Sequence, residues 1–357
     1  MQNEGSAMSE KVLVAMSGGV DSSAAVLLLK NEGYDVSGMT LRLWSLDDAP
    51  LGEAQNEQDA KSICEKLDAP FYVRDFRQEF RNTVISDFIS AYENGETPNP
   101  CVMCNRHVKF ELMLREADKL GIKKIATGHY ARVEFDNKSG RYIIKKGADT
   151  SKDQSYMLAQ LTQEQLSRIL FPLGTLTKNE IRNIAADGGL AVAHKKDSQD
   201  ICFIPDGDYV SFIEGCTKKN YPAGDFTDIN GNVLGKHSGL IRYTTGQRKG
   251  LGIALGAPMY VVQKDVENNR VVLGTNEQLF SSECIVKDVN AIALEAFTEP
   301  MRAEVKVRYS HLSSPAWLYP KDGKLRVVFD IPQRAITRGQ TAAFYDGDIL
   351  LGGGKIE

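Results

Sequence analysis

No apolar stretch in this chain approaches the ~20 residues that a membrane-spanning helix needs. The polar, acidic start, Met1 to Glu10, has no apolar signal segment. A cytoplasmic protein with no membrane association is therefore expected, with residues 1–10 as a disordered lead-in. Cysteine is scarce, six in 357 residues, and scattered except for Cys101 and Cys104. That excludes a secreted disulfide scaffold and points to cytosolic, chemically active thiols. Neither a second C-x-x-C nor an H-x3–5-H accompanies the pair, which argues against structural zinc. Internal repeats, low-complexity tracts and the Walker pattern G-x-x-x-x-G-K-[ST] are also missing. An excess of positive charge is absent too. The net charge of −4 speaks against nucleic acid taken as a sum, but its distribution is uneven. Residues 47–68 hold seven acidic against two basic side chains, and residues 301–340 hold eight basic against three acidic. An acidic protein can still carry a basic RNA-facing side.

What is present begins at Ser17-Gly18-Gly19-Val20-Asp21-Ser22, directly after the apolar run Val12 to Met16. A strand ending in Ser-Gly-Gly and turning into a helix aims several backbone N–H groups at one spot. The glycines allow close approach and unusual φ values, and the helix start adds a positive end. Such a concavity suits pyrophosphate. Ser17 and Ser22 add hydroxyls, and Asp21 can help hold magnesium. The pattern reads as the PP-loop of enzymes that split ATP between its α and β phosphates and adenylate a substrate.

A chain of this length implies two or three domains. In the first part strands and helices alternate: Lys11–Met16, Tyr34–Trp44, Pro70–Asp75 and Lys124–Gly128 as strands, with helices over Ser22–Asn31, Asn56–Leu67, Phe76–Glu93 and Asn105–Leu120. Helices are also expected at Gln163–Leu170 and Lys178–Asp187. This implies an α/β domain with a Rossmann-like parallel sheet over residues 11–205, with ligands beyond the carboxyl ends of its strands. Both Ser17-Gly18-Gly19 and Thr127-Gly128-His129 fall at such ends. After Pro205 helical periodicity fades and short β-prone runs take over, among them Leu240–Thr244, Met259–Gln263 and Arg270–Leu273. Two β-rich domains are expected, over 206–277 and 278–357, the last a small β-barrel.

In Thr97-Pro98-Asn99-Pro100-Cys101-Val102-Met103-Cys104-Asn105 two prolines hold the chain extended before a helix expected to begin near Asn105. Cys104 would then feel a helix N-terminus, which favours thiolate. Cys202, in Asp197-Ser198-Gln199-Asp200-Ile201-Cys202-Phe203-Ile204-Pro205, lies in a polar stretch near a domain boundary. Cys64, Cys216 and Cys284 read as small buried apolar residues.

SGGVDS, NPCVMCN, ATGHYAR, KDQSYML and DSQDICFIPDGDY, in this order, resemble the tRNA-specific 2-thiouridylase family (MnmA/TrmU), and GLIRYTTGQRKGLG fits its layout. The resemblance covers nearly the whole chain. It implies a PP-loop domain (adenine nucleotide α-hydrolase-like), two β-rich domains, and a tRNA-uridine 2-sulfurtransferase that places sulfur at C2 of the wobble uridine. It implies ATP binding by Ala15, Met16, Ser17, Gly18, Gly19, Val20, Asp21 and Ser22, with Met39 and Gly128 on the adenosine side. Asn99, Pro100 and Cys101 would lie against the target base. His129, Lys152, Asp153, Gln154, Arg308, Tyr309 and Gln340 would touch tRNA. A donor protein would load Cys202 as a persulfide, and Cys104 would resolve it into a disulfide. In well-known members an Asp, a candidate acid–base group, stands where this chain has Cys101. An alternative sulfur route has Cys101, Cys104 and Cys202 hold three irons of a [4Fe–4S] cluster. A monomer is expected. The competing readings are a small-molecule adenylating ligase of the PP-loop class, such as argininosuccinate or NAD synthetase, and a non-enzymatic RNA- or ATP-binding module.

Overall fold

The computed structural model describes residues 9–44, 51–196, 201–254 and 256–357. Most of the expected lead-in and the start of the Cys202 motif, Asp197 to Asp200, lie outside the described residues. In chain order the first part runs β1 (Lys11–Ala15), α1 (Val20–Asn31), β2 (Asp35–Arg42), α2 (Leu51–Lys66), β3 (Phe71–Asp75), α3 (Arg77–Phe80), α4 (Ser86–Glu93), α5 (Pro100–Cys104), α6 (Glu111–Lys119), β4 (Lys124–Ala126), β5 (Ala131–Asp136), β6 (Arg141–Lys146), α7 (Gln163–Leu166), β7 (Ile169–Leu170) and α8 (Lys178–Asp187). The second part runs α9 (Tyr209–Thr217), β8 (Gly224–Thr227), β9 (Val233–His237), β10 (Tyr260–Asp265), β11 (Arg270–Gly274), β12 (Phe280–Ala291), β13 (Met301–Lys306), β14 (Ser314–Lys321), β15 (Lys324–Arg334), β16 (Thr341–Asp346) and β17 (Ile349–Ile356). Among the described residues no helix is long and apolar enough to cross a membrane.

Two compact units form, and they do not follow chain order. Among the described residues, one unit is drawn from 1–81 and 104–199 and the other from 82–103 and 200–357. The first is built on a parallel sheet ordered β3-β2-β1-β4-β7. Its central strand β1 carries Val12, Leu13 and Val14, all without solvent exposure, as expected of a strand covered on both faces. Helix α1 packs Ala24, Ala25, Val26 and Leu29 into the same core. Small residues on that face let the helix approach the sheet closely.

In the second unit β10-β11-β8-β9 form a small sheet around Phe226, Val261, Val271 and Leu273. Strands β12-β15-β14-β13-β16-β17 close into a six-stranded antiparallel barrel through β12–β17 pairing. Its interior holds Val305, Leu318, Val327 and Phe344. In β14 the burial alternates from Ser314 to Leu318, inward Ala316 and Leu318 against outward Pro315 and Trp317, which is the period of a half-buried strand. Closure leaves this barrel without the open edge that invites aggregation.

Three local expectations are corrected. Leu240–Arg242 is a short 3-10 turn rather than part of a strand. Gln163–Leu170 divides into α7 and the strand β7. Helix α9 follows Pro205, where helical texture was expected to end; the Asp208 side chain accepts from Ser211 N–H and caps it.

Candidate functional site

Strand order reverses between β1 and β4, the position where an open parallel sheet leaves a crevice at its carboxyl ends. Ala15 and Met16 lead out of β1. Met16 N–H donates to the Met39 carbonyl at 2.8 Å, so Met39 brings its backbone to the loop while its side chain stays in the core. Gly18 has φ +68°, and a Cβ there would stand 2.1 Å from the Asn56 carbonyl oxygen. Only glycine fits. Gly19 is the N-cap of α1 and brings no side chain, and the Ser22 and Ser23 hydroxyls donate to its carbonyl at 3.2 and 2.8 Å. The Ser22 hydroxyl also accepts from Ser17 N–H at 3.2 Å. Val20, first in the helix, is buried. The second strand end arrives at the same place: a Cβ on Gly128 would lie 2.8 Å from the Asp21 carbonyl carbon and 2.9 Å from Ser22 N. The loop after β1 and the loop after β4 therefore line one crevice with a helix N-terminus between them.

Two lysines not foreseen from sequence converge on this loop. Lys178 Nζ lies 2.8 Å from both carboxylate oxygens of Asp21, with its side chain only 10% exposed. The Tyr130 hydroxyl donates to Asp21 Oδ1 at 2.7 Å. Lys195 Nζ donates to the Gly18 carbonyl at 2.9 Å and to Asn56 and Asp59 at 2.7 Å, which holds the Asp59 carboxyl below its ordinary value. A signal for Lys178 existed. Thr177 and Glu180 form a capping box, which puts Lys178 in the first turn of α8, where the positive helix end disfavours a cation. A buried lysine placed there needs a strong anionic partner, and Asp21 is it.

The residues expected to touch RNA from the first unit are engaged internally. His129 is buried, its Nδ1 2.7 Å from the Thr127 hydroxyl and its ring between Phe110 and Phe171. Burial, with Lys109 adding to it, holds its pKa well below the ordinary histidine value. The Asp153 carboxylate accepts from the N–H groups of Gly147 and Ser155, closing the turn that carries Lys152. Gln154 exchanges hydrogen bonds with the Tyr130 backbone through its side-chain oxygen and its own N–H. That holds Tyr130 where it reaches Asp21.

The thiols are differently placed. The helical run begins at Pro100 rather than near Asn105, so the expectation that Cys104 sits at its N-terminus is corrected. Asn99 supplies the first turn with a side-chain oxygen, which accepts from Cys101 N–H at 3.2 Å, and Pro100 takes the position where a missing N–H costs nothing. Cys101 is thus in the first turn and exposed, whereas Cys104 is buried. Cys202 is exposed on a turn closed by Ile204 N–H to the Ile201 carbonyl at 2.8 Å. Its neighbour Phe203 is buried against Phe88 of α4 and Phe212 of α9, ring centroids 5.3 and 5.2 Å away. Cys64 and Cys284 are buried as expected, their thiols pushed up by burial to about 11 and about 12. Cys216 is exposed, which corrects its reading as a buried apolar residue. Among the described residues no three His, Cys, Asp or Glu side chains gather as a metal site.

In the barrel, Arg308 Nη2 donates to the carbonyls of Thr245 and Ala335 and to the Thr337 hydroxyl. Tyr309 is exposed beneath Lys306, whose Nζ sits 5.3 Å from the ring centroid. Gln340 donates to the Thr97 and Pro98 carbonyls at 2.8 and 3.2 Å.

Comparison with known proteins agrees with this geometry. Residues 10–206 match a family described as the tRNA methyl transferase HUP domain, 211–275 its PRC-barrel domain, and 281–356 an aminomethyltransferase beta-barrel domain. Relatives named tRNA-specific 2-thiouridylase MnmA are similar end to end. The protein of Acetivibrio thermocellus is 50% identical over 98% of this chain and 99% of its own. That of Clostridioides difficile is 48% identical over the same shares. With the crevice, the six-residue loop and the closed barrel all in place, the chain belongs to the tRNA-specific 2-thiouridylase family.

Proposed function

We propose that this protein uses ATP to replace the C2 oxygen of the wobble uridine of tRNA with sulfur. The observation that carries the reading is the meeting of two loops, Ser17–Gly19 after β1 and Gly128 after β4, at one helix N-terminus. A pyrimidine C2 carbonyl is a poor electrophile with a poor leaving group. Attack of that oxygen on the α-phosphorus of ATP releases pyrophosphate and turns the oxygen into part of an AMP leaving group. The N–H groups at the start of α1 meet the charge that grows on pyrophosphate. Magnesium accompanying ATP supplies further neutralisation there, and Ser17, Ser22 and Asp21 provide the hard oxygen donors that fit it. Lys178, seated on Asp21, adds a fixed cation at the same loop.

Sulfur transfer then needs a nucleophile. A sulfur-donor protein leaves a persulfide on Cys202, an exposed thiol on a turn anchored by buried Phe203. The terminal sulfur attacks C2 and expels AMP. Cys104 thiolate then attacks the Cys202 sulfur, cleaving the S–S bond. The electron pair of that bond goes to the base as its thiocarbonyl, and the two cysteines are left as a disulfide that an external dithiol must reduce. Cys104, the last residue of α5, is buried in this structure, so this step requires the helical run around it to open. Cys101, exposed beside Asn99, is the proton-exchanging group at the base.

Mass spectrometry of wobble uridine from cells lacking the protein tests the reading. Loss of the 2-thio group is expected, with restoration by the wild-type gene but not by Cys202→Ser. An unchanged nucleoside profile would overturn it.

A further inference from the structure

The segment that leads into Asn99–Cys101 is held along its backbone, mostly by the two β-rich domains. Glu96 N–H donates to the Ala91 carbonyl at 2.8 Å, and the Glu96 carbonyl accepts from Lys264 of β10 at 3.3 Å. Thr97 N–H donates to the Arg338 carbonyl at 2.8 Å, and Gln340 takes the carbonyls of Thr97 and Pro98. Pro98 and Pro100 have no N–H to satisfy. The Glu96 carboxylate pairs with Lys355 of β17 at 2.7 Å. Gly339, at φ +89°, lies so close that a Cβ on it would stand 2.8 Å from the Glu96 Cβ. Lys264 is itself buried at 7% exposure, with Nζ 5.6 Å from the centroid of Tyr92 on α4, and Tyr92 stacks on Tyr209 of α9.

We infer that Lys264 and Gln340 are positioning residues for the Asn99–Cys101 turn, latching it from the central and C-terminal β domains. The inference rests on the reading that this turn faces the target base. An ammonium taken out of water is costly, and here it serves a single carbonyl and one aromatic face rather than an ion pair of its own. Such an arrangement suits fixing a backbone more than strengthening a core. The same helix α4 that supplies Tyr92 also supplies Phe88, which packs on Phe203 beside Cys202. Strap and sulfur-bearing turn therefore share one support. The β-rich half would then act on the reaction through loop placement as well as through RNA.

Lys264→Met and Gln340→Glu each remove the donor while nearly keeping the shape, and the purified full-length variants are compared with wild type. Turnover at saturating tRNA and ATP should fall by about tenfold or more, the order expected when a reacting group shifts by a fraction of an ångström to an ångström. The tRNA dissociation constant should stay within about threefold, because RNA affinity is dominated by Lys and Arg contacts to phosphate and a latch on the Thr97 and Pro98 carbonyls is not one of these. Hydrogen exchange across residues 96–101 should quicken in both variants, with or without tRNA. Lys355→Met, loosening the strap from the surface side, is the second route should Lys264→Met fail to fold. Unchanged exchange over 96–101 overturns the inference. So does a loss of tRNA affinity with turnover intact, which would make Gln340 an RNA contact. If wild type thiolates no tRNA, the functional reading fails while the exchange result still decides whether the latch exists.

Discussion

Replacing Lys178 by methionine removes a charge and little volume. Its ammonium sits 2.8 Å from each Asp21 oxygen, with the lysine side chain 10% and the aspartate side chain 32% exposed. At an effective dielectric of about 20, unit charges about 3 Å apart attract by roughly 5 kcal/mol. Desolvation offsets much of this in the intact pair, but deleting one partner leaves the other unneutralised. The usual cost for a fully buried pair is about 3–5 kcal/mol. Because Asp21 keeps some water and a Tyr130 hydrogen bond, about 2 kcal/mol is the expectation here. The melting temperature should then fall by roughly 4–8 °C. Catalysis should suffer more than stability. Removing one preorganised electrostatic group at developing charge costs about 10²–10³ in rate. The assay is single-turnover release of labelled pyrophosphate from ATP with tRNA bound, for Lys178→Met, Asp21→Asn and the double variant. If the two side chains work as a unit, the double variant should be little worse than the poorer single one. Lys178→Met releasing pyrophosphate within about threefold of wild type, with Asp21→Asn inactive, would refute the reasoning.

Gly128→Ala would drive a methyl group into the backbone of Asp21 and Ser22, at 2.8 and 2.9 Å, displacing the helix start. ATP binding by calorimetry should be lost while the far-ultraviolet circular dichroism stays native. Lys264, depressed by burial to about 8 from 10.5, disfavours its own charge in the folded state. Its penalty is full below pH 8, where the native state holds a proton at a cost. Between pH 8 and 10.5 the unfolded chain binds the extra proton, so this group makes wild type more stable as pH rises. The 2.5-unit gap is worth roughly 3 kcal/mol. Urea unfolding of wild type minus Lys264→Met should therefore gain about that much from pH 7 to 10, and a flat difference would contradict the assignment. Iodoacetamide at pH 8 should label Cys101, Cys202 and Cys216 quickly and spare Cys64 and Cys284, read by peptide mass spectrometry; fast labelling of Cys284 would contradict its burial.

Local sequence was sufficient where function or backbone geometry forces a residue type. Ser17 to Ser22 after an apolar strand, and the Gly128 that must approach it, were legible because only glycine permits those contacts. The alternation of strands and helices implied a parallel sheet, since each strand must be covered on both faces. The β-rich character of the C-terminal part was legible from the loss of helical periodicity and the short β-prone runs after Pro205. Leu240–Thr244 misled because β-branched and aromatic content does not tell a strand from a turn packed on a core. Tertiary structure decided everything that depends on partners distant in sequence. Lys178 and Asp21 are 157 residues apart, and Gln340 lies more than 240 residues from the strap it holds. No periodicity encodes such pairs. Residues 82–103 fold with residues 200–357, so Cys101 and Cys202 share one unit while Cys104 belongs to the other, a division that chain order does not reveal. A sequence states which groups can carry charge, thiol chemistry or a tight turn. Which of them meet is set by how the chain buries its apolar surface, and that is a property of the whole fold.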